Sequence, residues 1–229
     1  MTASQFLEVD PGWRETHPGA SVGLIAMRDV ANPARNDHLN DLATGLETDV
    51  RSRLVSADRE TIRTTPPLPA YTTYYMRWGQ CYHVAMQLES VAQKGKALPR
   101  VAALVEAMFI AELRNLLLTA GHDLDALEIP VRLTVGSGES YVAPNGQETT
   151  VKAGDMVIAD AGGRVLSAII TGPSDFARIG PETTAALFYT YAPPGVDSGL
   201  VDAQLDEIEH NVRLISPETA VVAREIVTA

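Results

Sequence analysis

The stretch between Leu98 and Pro193 decides the fold of this chain. It reads LPRVAALVEAMFIAELRNLLLTAGHDLDALEIPVRL over residues 98–133, GESYVAPNG over 138–146, AGDMVIADAGGRVL over 153–166 and PETTAALFYTYAP over 181–193. The first segment begins with a long apolar helix pattern. The others alternate short β-branched or aromatic runs with turns that contain Gly or Pro. The sequence therefore predicts a buried helix followed by a series of strands.

The apolar helix is predicted over residues 101–119. Its apolar side chains cover most of the circumference, so the helix should be buried on several sides. Glu106 and Glu112 fall within the apolar arcs, where an unpaired carboxylate is costly. Each therefore needs an ionic partner, a proton or access to water. Two arrangements meet this need: a structural ion pair with Arg100 or Arg114, or a position facing a cleft.

Five strands are predicted after this helix, and turns that contain Gly or Pro separate them. The predicted strands cover residues 131–135, 140–143, 156–159, 164–170 and 187–191. This half of the chain lacks the βαβ order of a parallel sheet. The predicted fold class is therefore α+β, with a largely antiparallel sheet packed with helices and one buried central helix.

The whole chain, residues 1–229, is predicted to form one domain. Its N-terminal part, about 1–100, is largely helical, with strands at 5–9 and 21–30. One helix has apolar positions from Leu39 to Leu54 and is capped by Asn36 or Asp37, and another covers 83–93. Residues 197–228 are predicted to form two helices, the second capped by Ser216. An aromatic stripe at helical spacing is either core packing or a platform for base stacking. Its members are Tyr71, Tyr74, Tyr75 and Trp78.

The acidic balance limits the partners. The formal charge is −11, with 29 acidic and 18 basic residues, whereas affinity for nucleic acid comes mainly from Lys and Arg that neutralise phosphates. DNA binding is not expected, and contact with a tRNA acceptor end would need a local basic patch. One candidate patch is Arg51, Arg53, Arg59 and Arg63, and the other is Lys94, Lys96 and Arg100. A solvated helix face or a basic loop is the more common explanation of such a patch.

Several kinds of site are not expected from this sequence. Cys81 is the single cysteine, so neither an intrachain disulfide nor a cysteine-based zinc site is predicted. The five histidines show no spacing of metal-ligand type, and no cofactor motif is found, so neither a metal nor a cofactor is predicted. Nothing in the spacing of Ser174, Asp175 and His122 supports a catalytic triad. Neither a secretory signal nor a membrane span is visible, which predicts a cytoplasmic protein.

Five short motifs occur in the order of a known module. They are Val105-Glu106 in the long helix, the turn Asp123-Leu124-Asp125, Gly138-Glu139 before a strand, the strand Val157-Ile158-Ala159-Asp160, and Thr183 followed by Leu187-Phe188. This order resembles the B3/B4 module of the bacterial phenylalanyl-tRNA synthetase β chain, and more closely the freestanding proteins built from that module alone. The resemblance is best over residues 98–193.

The resemblance implies binding of the acylated end of a tRNA and removal of a wrong amino acid from it. Two departures stand at positions that the synthetase uses for editing. Ala120 replaces a histidine ahead of the Asp-Leu-Asp turn, and Tyr189 replaces a glutamate in the last strand. The family's catalytic residues therefore do not carry over to this chain, and its catalytic residues stay unassigned.

The predicted site is a cleft between the long helix and the C-terminal strands. Its predicted polar lining is Glu106, Glu112, Asn115, His122, Asp175 and Tyr189. His122 or Glu112 is the candidate to orient a water, and Asn115 is the candidate to contact the ligand. His122 alternatively packs in the place of an aromatic residue, and Asp175 is alternatively a turn residue.

Two functions from different classes follow. The first, which the resemblance makes the leading hypothesis, is recognition of an aminoacyl-tRNA 3′ end, to which deacylation of a mischarged tRNA in trans can be added. The second is a non-catalytic module that binds an amino-acid-like small ligand or a nucleotide. The acidic charge and the departures at Ala120 and Tyr189 favour the second function.

Overall fold

The computed structural model describes residues 6–229, with 38% of the chain in helices and 25% in strands. The helices are α1 (Pro11–Thr16), α2 (Asp37–Leu54), α3 (Arg59–Arg63), α4 (Leu68–Met76), α5 (His83–Lys94), α6 (Ala103–Asn115) and α7 (Ser198–Ile215). The strands are β1 (Leu7–Val9), β2 (Ser21–Arg28), β3 (Leu118–Asp123), β4 (Val131–Val135), β5 (Ser140–Val142), β6 (Glu148–Thr150), β7 (Met156–Ala159), β8 (Val165–Ala168), β9 (Gly172–Pro173), β10 (Ala185–Ala192) and β11 (Ala220–Thr228).

Two larger sheets and one hairpin hold the strands. One sheet has the order β1-β4-β7-β8-β9, the other has the order β11-β2-β10-β3, and β5 pairs with β6. The pair β1–β4 is parallel, and the other pairs are antiparallel. The predicted α+β class with largely antiparallel sheets is therefore confirmed.

The four-stranded sheet is covered on both faces. All eight residues of β10 are buried, as are seven of the eight in β2, so these central strands read as unbroken apolar runs. Helix α7 packs on one face, where β2 carries Gly23. A Cβ at Gly23 would lie 2.5 Å from Cγ1 of Val201 in α7. The glycine is thus what lets this helix approach the sheet so closely.

The opposite face of this sheet meets the five-stranded sheet. The hydroxyl oxygen of Tyr191 in β10 lies 2.8 Å from Oγ of Ser167 in β8. The Tyr191 hydroxyl also donates to the Ser167 carbonyl at 3.1 Å. Tyr71 of α4 donates to the Tyr191 carbonyl and accepts from the backbone N–H of Leu118. These buried hydrogen bonds join the two sheets and α4 around one core.

The buried central helix α6 is shorter than the sequence pattern predicts. It ends at Asn115 because Leu116 takes a left-handed conformation with φ of 60°, and β3 begins at Leu118. The predicted helix up to residue 119 is wrong in its last turn. Periodicity did not reveal the break, because Leu116 to Ala120 stay buried after the chain changes from helix to strand.

The second predicted C-terminal helix is also wrong. After Ser216 the chain forms β11, which pairs antiparallel with β2. Arg224 of this strand forms ion pairs with Asp202 and Asp206 of α7 at 2.6 and 2.8 Å. Pairing with β2 and contact with α7 outweigh the local capping pattern at residues 216–218, which had favoured a helix.

Most other predicted elements are confirmed. Asn36 caps α2 by accepting from the N–H of Leu39, and Asp197 caps α7. Asp123 caps the short 3-10 turn Leu124–Ala126. The predicted strand at 5–9 is observed from Leu7, and Gln5 lies outside the described residues. The short elements α1, α3, β3, β6 and β9 were not predicted as separate elements.

Candidate functional site

A pocket of about 540 Å³ lies between α6 and the edges of both larger sheets. Strand β3 is the edge strand of one sheet, and β9, which pairs with β8, is the edge strand of the other. The loop after β9, the β5–β6 turn and the start of α5 complete the walls. The pocket thus occupies the region between the long helix and the C-terminal strands that the sequence predicted.

The walls are mainly apolar. The apolar lining residues are Val101, Ala102, Val105, Met108, Phe109, Leu118, Ala120, Pro144, Ala168, Ile169, Pro173 and Ile179. Val105, Met108 and Phe109 stay only half-buried in the folded chain, because they face this space instead of a packed neighbour. Such a surface favours an apolar ligand, since contact removes it from water.

Glu112 is the buried carboxyl group of the pocket. Its side chain projects from α6, and its Oε1 accepts a hydrogen bond of 2.8 Å from the backbone N–H of Thr119. Burial raises the pKa of Glu112 to about 8, and the bond from Thr119 opposes this only in part. At neutral pH the carboxyl group is therefore mostly protonated and can donate a hydrogen bond.

The remaining polar lining is divided between the interior and the mouth. Ser167 and Tyr191 contribute their hydroxyl pair, and burial raises the pKa of Tyr191 well above its usual value. Arg178 lies at the mouth with 65% of its side chain exposed, and its Nη1 is 3.5 Å from Oδ1 of Asp175. His83 lines the pocket from α5, and desolvation lowers its pKa.

Two predicted residues on α6 point elsewhere. Glu106 is buried next to Arg100, whose Nε lies 3.2 Å from Oε1, and its pKa is raised by burial although Arg100 opposes this. Asn115 donates to Oε1 of Gln204 in α7 at 2.8 Å. Neither side chain is among the residues that line the pocket. Glu106 therefore adopts the structural ion pair that was one of its two predicted arrangements.

His122 and Tyr189 lie next to the pocket without lining it. Their rings stack with centroids 5.7 Å apart, and burial lowers the pKa of His122 to about 4. Nδ1 of His122 is 3.3 Å from the carbonyl oxygen of Phe176. Asp175 is exposed and pairs with Arg178. Of the six predicted site residues, Glu112 is therefore the one that lines the pocket.

The aromatic stripe forms core packing. Tyr71, Tyr74 and Tyr75 are 0%, 1% and 3% exposed, so their rings cannot serve as a platform for bases. Tyr74 donates to Oδ1 of Asp155 at 2.7 Å, and burial raises the pKa of Asp155 to about 6. The stripe therefore anchors α4 to the five-stranded sheet.

The larger predicted basic patch is neutralised by its neighbours. Arg51 pairs with Glu47, Arg53 with Asp49, and both Arg59 and Arg63 with Glu89. In the second patch Arg100 pairs with Glu47 and Glu106, while Lys94 and Lys96 are exposed. Few free cations therefore remain in either patch for phosphate contacts.

Residues 6–229 contain neither a cluster of metal-ligating side chains nor a helix of membrane-spanning type. In that range no three or more His, Cys, Asp or Glu side chains come together as a set that could hold a metal ion. None of the helices described there is both long and apolar enough to cross a membrane.

The sequence did not reveal most of the pocket lining. Ser167, Tyr191 and Arg178 lie far from α6 along the chain. Packing of the two sheets brings Ser167 to Tyr191, and a β-bridge to His122 brings Arg178 to strand β3. One local signal was present: apolar side chains cover most of the circumference of α6. Val105 and Phe109 are among them, and the structure leaves both half-buried.

Comparison with known proteins identifies no family. No family model matches the sequence, and no curated protein does. Among solved structures, an N-terminal fragment of the phenylalanyl-tRNA synthetase β-subunit from Pyrococcus horikoshii is similar, with a TM-score of 0.47 and 11% identity. The match covers 96% of this chain and 50% of that fragment, so this chain spans half of its length. Similarity at this level establishes neither membership of a family nor a function.

Proposed function

We propose that this protein binds a small amino-acid-like ligand in the pocket beneath α6. The observation that carries the proposal is a preformed space of about 540 Å³ with apolar walls and few polar groups. Ligand sites in proteins typically have roughly 300–1,000 Å³ and this kind of lining. The ligand's apolar part would contact Val105, Met108 and Phe109, while its polar part would meet Glu112.

The expected affinity is modest. Burying roughly 200 Å² of apolar ligand surface contributes about 5 kcal/mol. The loss of translational and rotational freedom offsets part of this gain. A small ligand held by this apolar contact alone should therefore bind with a dissociation constant no lower than about 0.2 mM. Tighter binding would need polar contacts as well, for example with Arg178 at the mouth of the pocket.

The second candidate is recognition of the aminoacyl 3′ end of a tRNA, with deacylation of a mischarged tRNA in trans. Exposed Arg178 at the mouth favours it, because a guanidinium group suits a terminal phosphate. The ion-paired arginines of α2 and α3 argue against extended contact with the tRNA body. The tRNA would then be held mainly by its acylated terminus.

Deacylation would need only a small contribution from the protein to lowering the activation barrier. An aminoacyl ester is already activated, and a thousandfold acceleration needs only about 4 kcal/mol. Protonated Glu112 would donate a hydrogen bond to the ester carbonyl as negative charge develops on its oxygen. A general base is not assigned, and bulk water would be the nucleophile in this scheme.

Ligand binding is tested by NMR titration with N-acetyl amino acid methyl esters that carry different side chains. Val105→Trp fills the pocket from α6, so it should abolish binding. The matched control is Val55→Trp, because Val55 is 78% exposed and lies outside the pocket lining. The proposal is contradicted if no ester binds the wild type, or if Val105→Trp binds as the wild type does.

Deacylation is tested separately with a panel of misacylated tRNAs. The second candidate predicts release of the amino acid faster than in buffer, and slower release by Val105→Trp. Release no faster than in buffer across the panel would exclude deacylase activity, and ligand binding would remain as the proposed function.

We further propose that the protein acts in the cytoplasm. Its single cysteine, Cys81, is exposed and free, which suits a reducing compartment. Fractionation of cells that express the tagged protein tests this, and recovery in a membrane or secreted fraction would contradict it.

A further inference from the structure

The carboxyl group of Glu112 has one oxygen to which the surrounding protein offers no donor. Its Oε1 accepts from the Thr119 N–H, and no hydrogen bond to Oε2 is found among residues 6–229. The nearby phenols use their single protons elsewhere. Tyr71 donates to the Tyr191 carbonyl, Tyr75 to the Ile169 carbonyl at 2.9 Å, and Tyr82 to the Leu116 carbonyl at 3.1 Å.

No cation compensates Glu112 either. None of the ion pairs within the described part of the chain includes it, and Arg178 at the pocket mouth pairs with Asp175. An ionised carboxylate at this position would have one backbone N–H as its support. The neutral acid is satisfied more easily, because it needs one acceptor for its proton. A ligand in the pocket that Glu112 lines can supply that acceptor.

We propose that the inner end of the ligand carries a neutral hydrogen-bond acceptor, such as a ketone, ester or amide oxygen, that receives the proton of Glu112. This inference rests on the proposed function, because it specifies the chemistry of the ligand bound in the same pocket. Within the amino-acid-like class, the ligand is one whose buried end is uncharged: an apolar body that ends in such an oxygen, as in an N-acyl amino acid ester.

A ligand ammonium group fits the inner end poorly, because its three N–H donors would need three acceptors. The hydroxyls of Ser167 and Tyr191 already bond each other. Oγ1 of Thr119 accepts from Nε2 of Gln204 at 3.0 Å and lies 3.1 Å from the Thr190 hydroxyl. Around Glu112 the walls are otherwise mainly apolar. A free α-ammonium group would therefore have to stay at the mouth of the pocket.

The neutral acceptor gives binding a defined pH dependence. Tyr71 and Tyr75 from α4, Tyr82 before α5 and Tyr191 from β10 face this region, and burial raises the pKa of each above its usual value. Desolvation lowers the pKa of His83, which lines the pocket from α5. Arg178 and Asp175 pair at the mouth. Glu112 is thus the group whose ionisation changes the pocket near pH 8.

The test uses three compounds with one carbon skeleton. They are butylbenzene, which lacks a polar group, 4-phenylbutan-2-one, which has a neutral acceptor, and 4-phenylbutan-2-amine, which is a cation. Binding is measured by NMR titration between about pH 6 and 9.5. The proteins are the wild type, Glu112→Gln and the control Glu89→Gln, in which a buried glutamate outside the pocket is changed.

The ketone should bind most tightly to the wild type. Its affinity should stay constant up to about pH 8 and then fall by roughly tenfold per pH unit, because only the protonated fraction of Glu112 binds it. Glu112→Gln should retain the ketone, since an amide also donates, and should lose the pH dependence. Glu89→Gln should behave as the wild type.

Three results would overturn the inference, and they are distinguishable. Tightest binding of the amine, with affinity rising through pH 8 and lost in Glu112→Gln, would mean that a carboxylate pairs with a cation. Equal binding of all three compounds would leave the pocket as a ligand site but remove the role of Glu112. If none of the three binds the wild type although an N-acetyl amino acid methyl ester does, the inference fails and the proposed function stands. If the esters do not bind either, the proposed function itself fails.

Discussion

Replacing Glu112 by Gln should stabilise the protein, and the gain should grow with pH. Each unit of pKa difference corresponds to about 1.4 kcal/mol. A change from 4.5 to about 8 therefore makes ionised Glu112 about 5 kcal/mol less favourable in the folded protein than in the unfolded chain. Glutamine keeps an oxygen for the Thr119 N–H and has no charge to desolvate.

The sign of the effect follows from which state releases the proton first. Near pH 4 both states are protonated, so the two proteins should differ little. Between about pH 4.5 and 8 the unfolded chain is ionised and the folded protein is not. The wild type should therefore lose up to about 1.4 kcal/mol of unfolding free energy per pH unit. Above about pH 8 the difference should be constant.

Urea unfolding of both proteins at several pH values from about 4.5 to 9 measures this difference. Relaxation of the pocket reduces the upper value, so we expect a gain of about 2–5 kcal/mol for Glu112→Gln at pH 8.5. Glu89→Gln is a control whose effect on the free energy of unfolding should have the opposite sign. Burial raises the pKa of Glu89, but hydrogen bonds from Arg63 and Arg59 outweigh this and lower it, so its removal should destabilise. An equal effect of Glu112→Gln at pH 4.5 and 8.5 would refute the reasoning.

Two further substitutions test the packing around the site. Gly23→Ala places a Cβ 2.5 Å from Val201 Cγ1, so it should lower the free energy of unfolding in urea by about 1–3 kcal/mol. The control is Gly45→Ala, which lies in open space within α2 and should raise that free energy by up to about 1 kcal/mol. Equal effects of the two would contradict the close contact between β2 and α7. Tyr74→Phe removes a donor to buried Asp155 and should lower the free energy of unfolding by about 1–3 kcal/mol. The pKa of Asp155 should rise above about 6. An unchanged unfolding midpoint at pH 7.5 would argue against this bond.

Local sequence patterns correctly predicted the helices and strands whose conformation depends mainly on their own residues. Helix α2 was found because Asn36 caps it and its apolar positions recur at helical spacing. Strands β4 and β7 were found because turn residues bound short runs with high strand propensity. The boundary at Leu116 and strand β11 were missed. Their causes are a left-handed residue inside an apolar run and pairing with β2, about 200 residues earlier in the chain.

The site was predictable to the extent that one helix carries it. Glu112 was identified because a carboxylate within an apolar arc needs an explanation, and it lines the pocket. Glu106 showed the same pattern, yet it meets Arg100. The two differ only in what faces them across the fold, and spacing along one helix does not reveal this. Ser167 and Tyr191 line the site because the two sheets pack together, which spacing along one helix does not reveal either.

The most direct test of the account is an infrared difference spectrum of the protein at pH 7, with and without 4-phenylbutan-2-one. The account predicts a carbonyl stretch of a protonated carboxyl group that is absent from Glu112→Gln, shifts when the ketone binds, and disappears as the pH rises through about 8. If the wild type and Glu112→Gln give the same spectrum in this region at pH 7, Glu112 is ionised in the pocket. The central claim would then be contradicted.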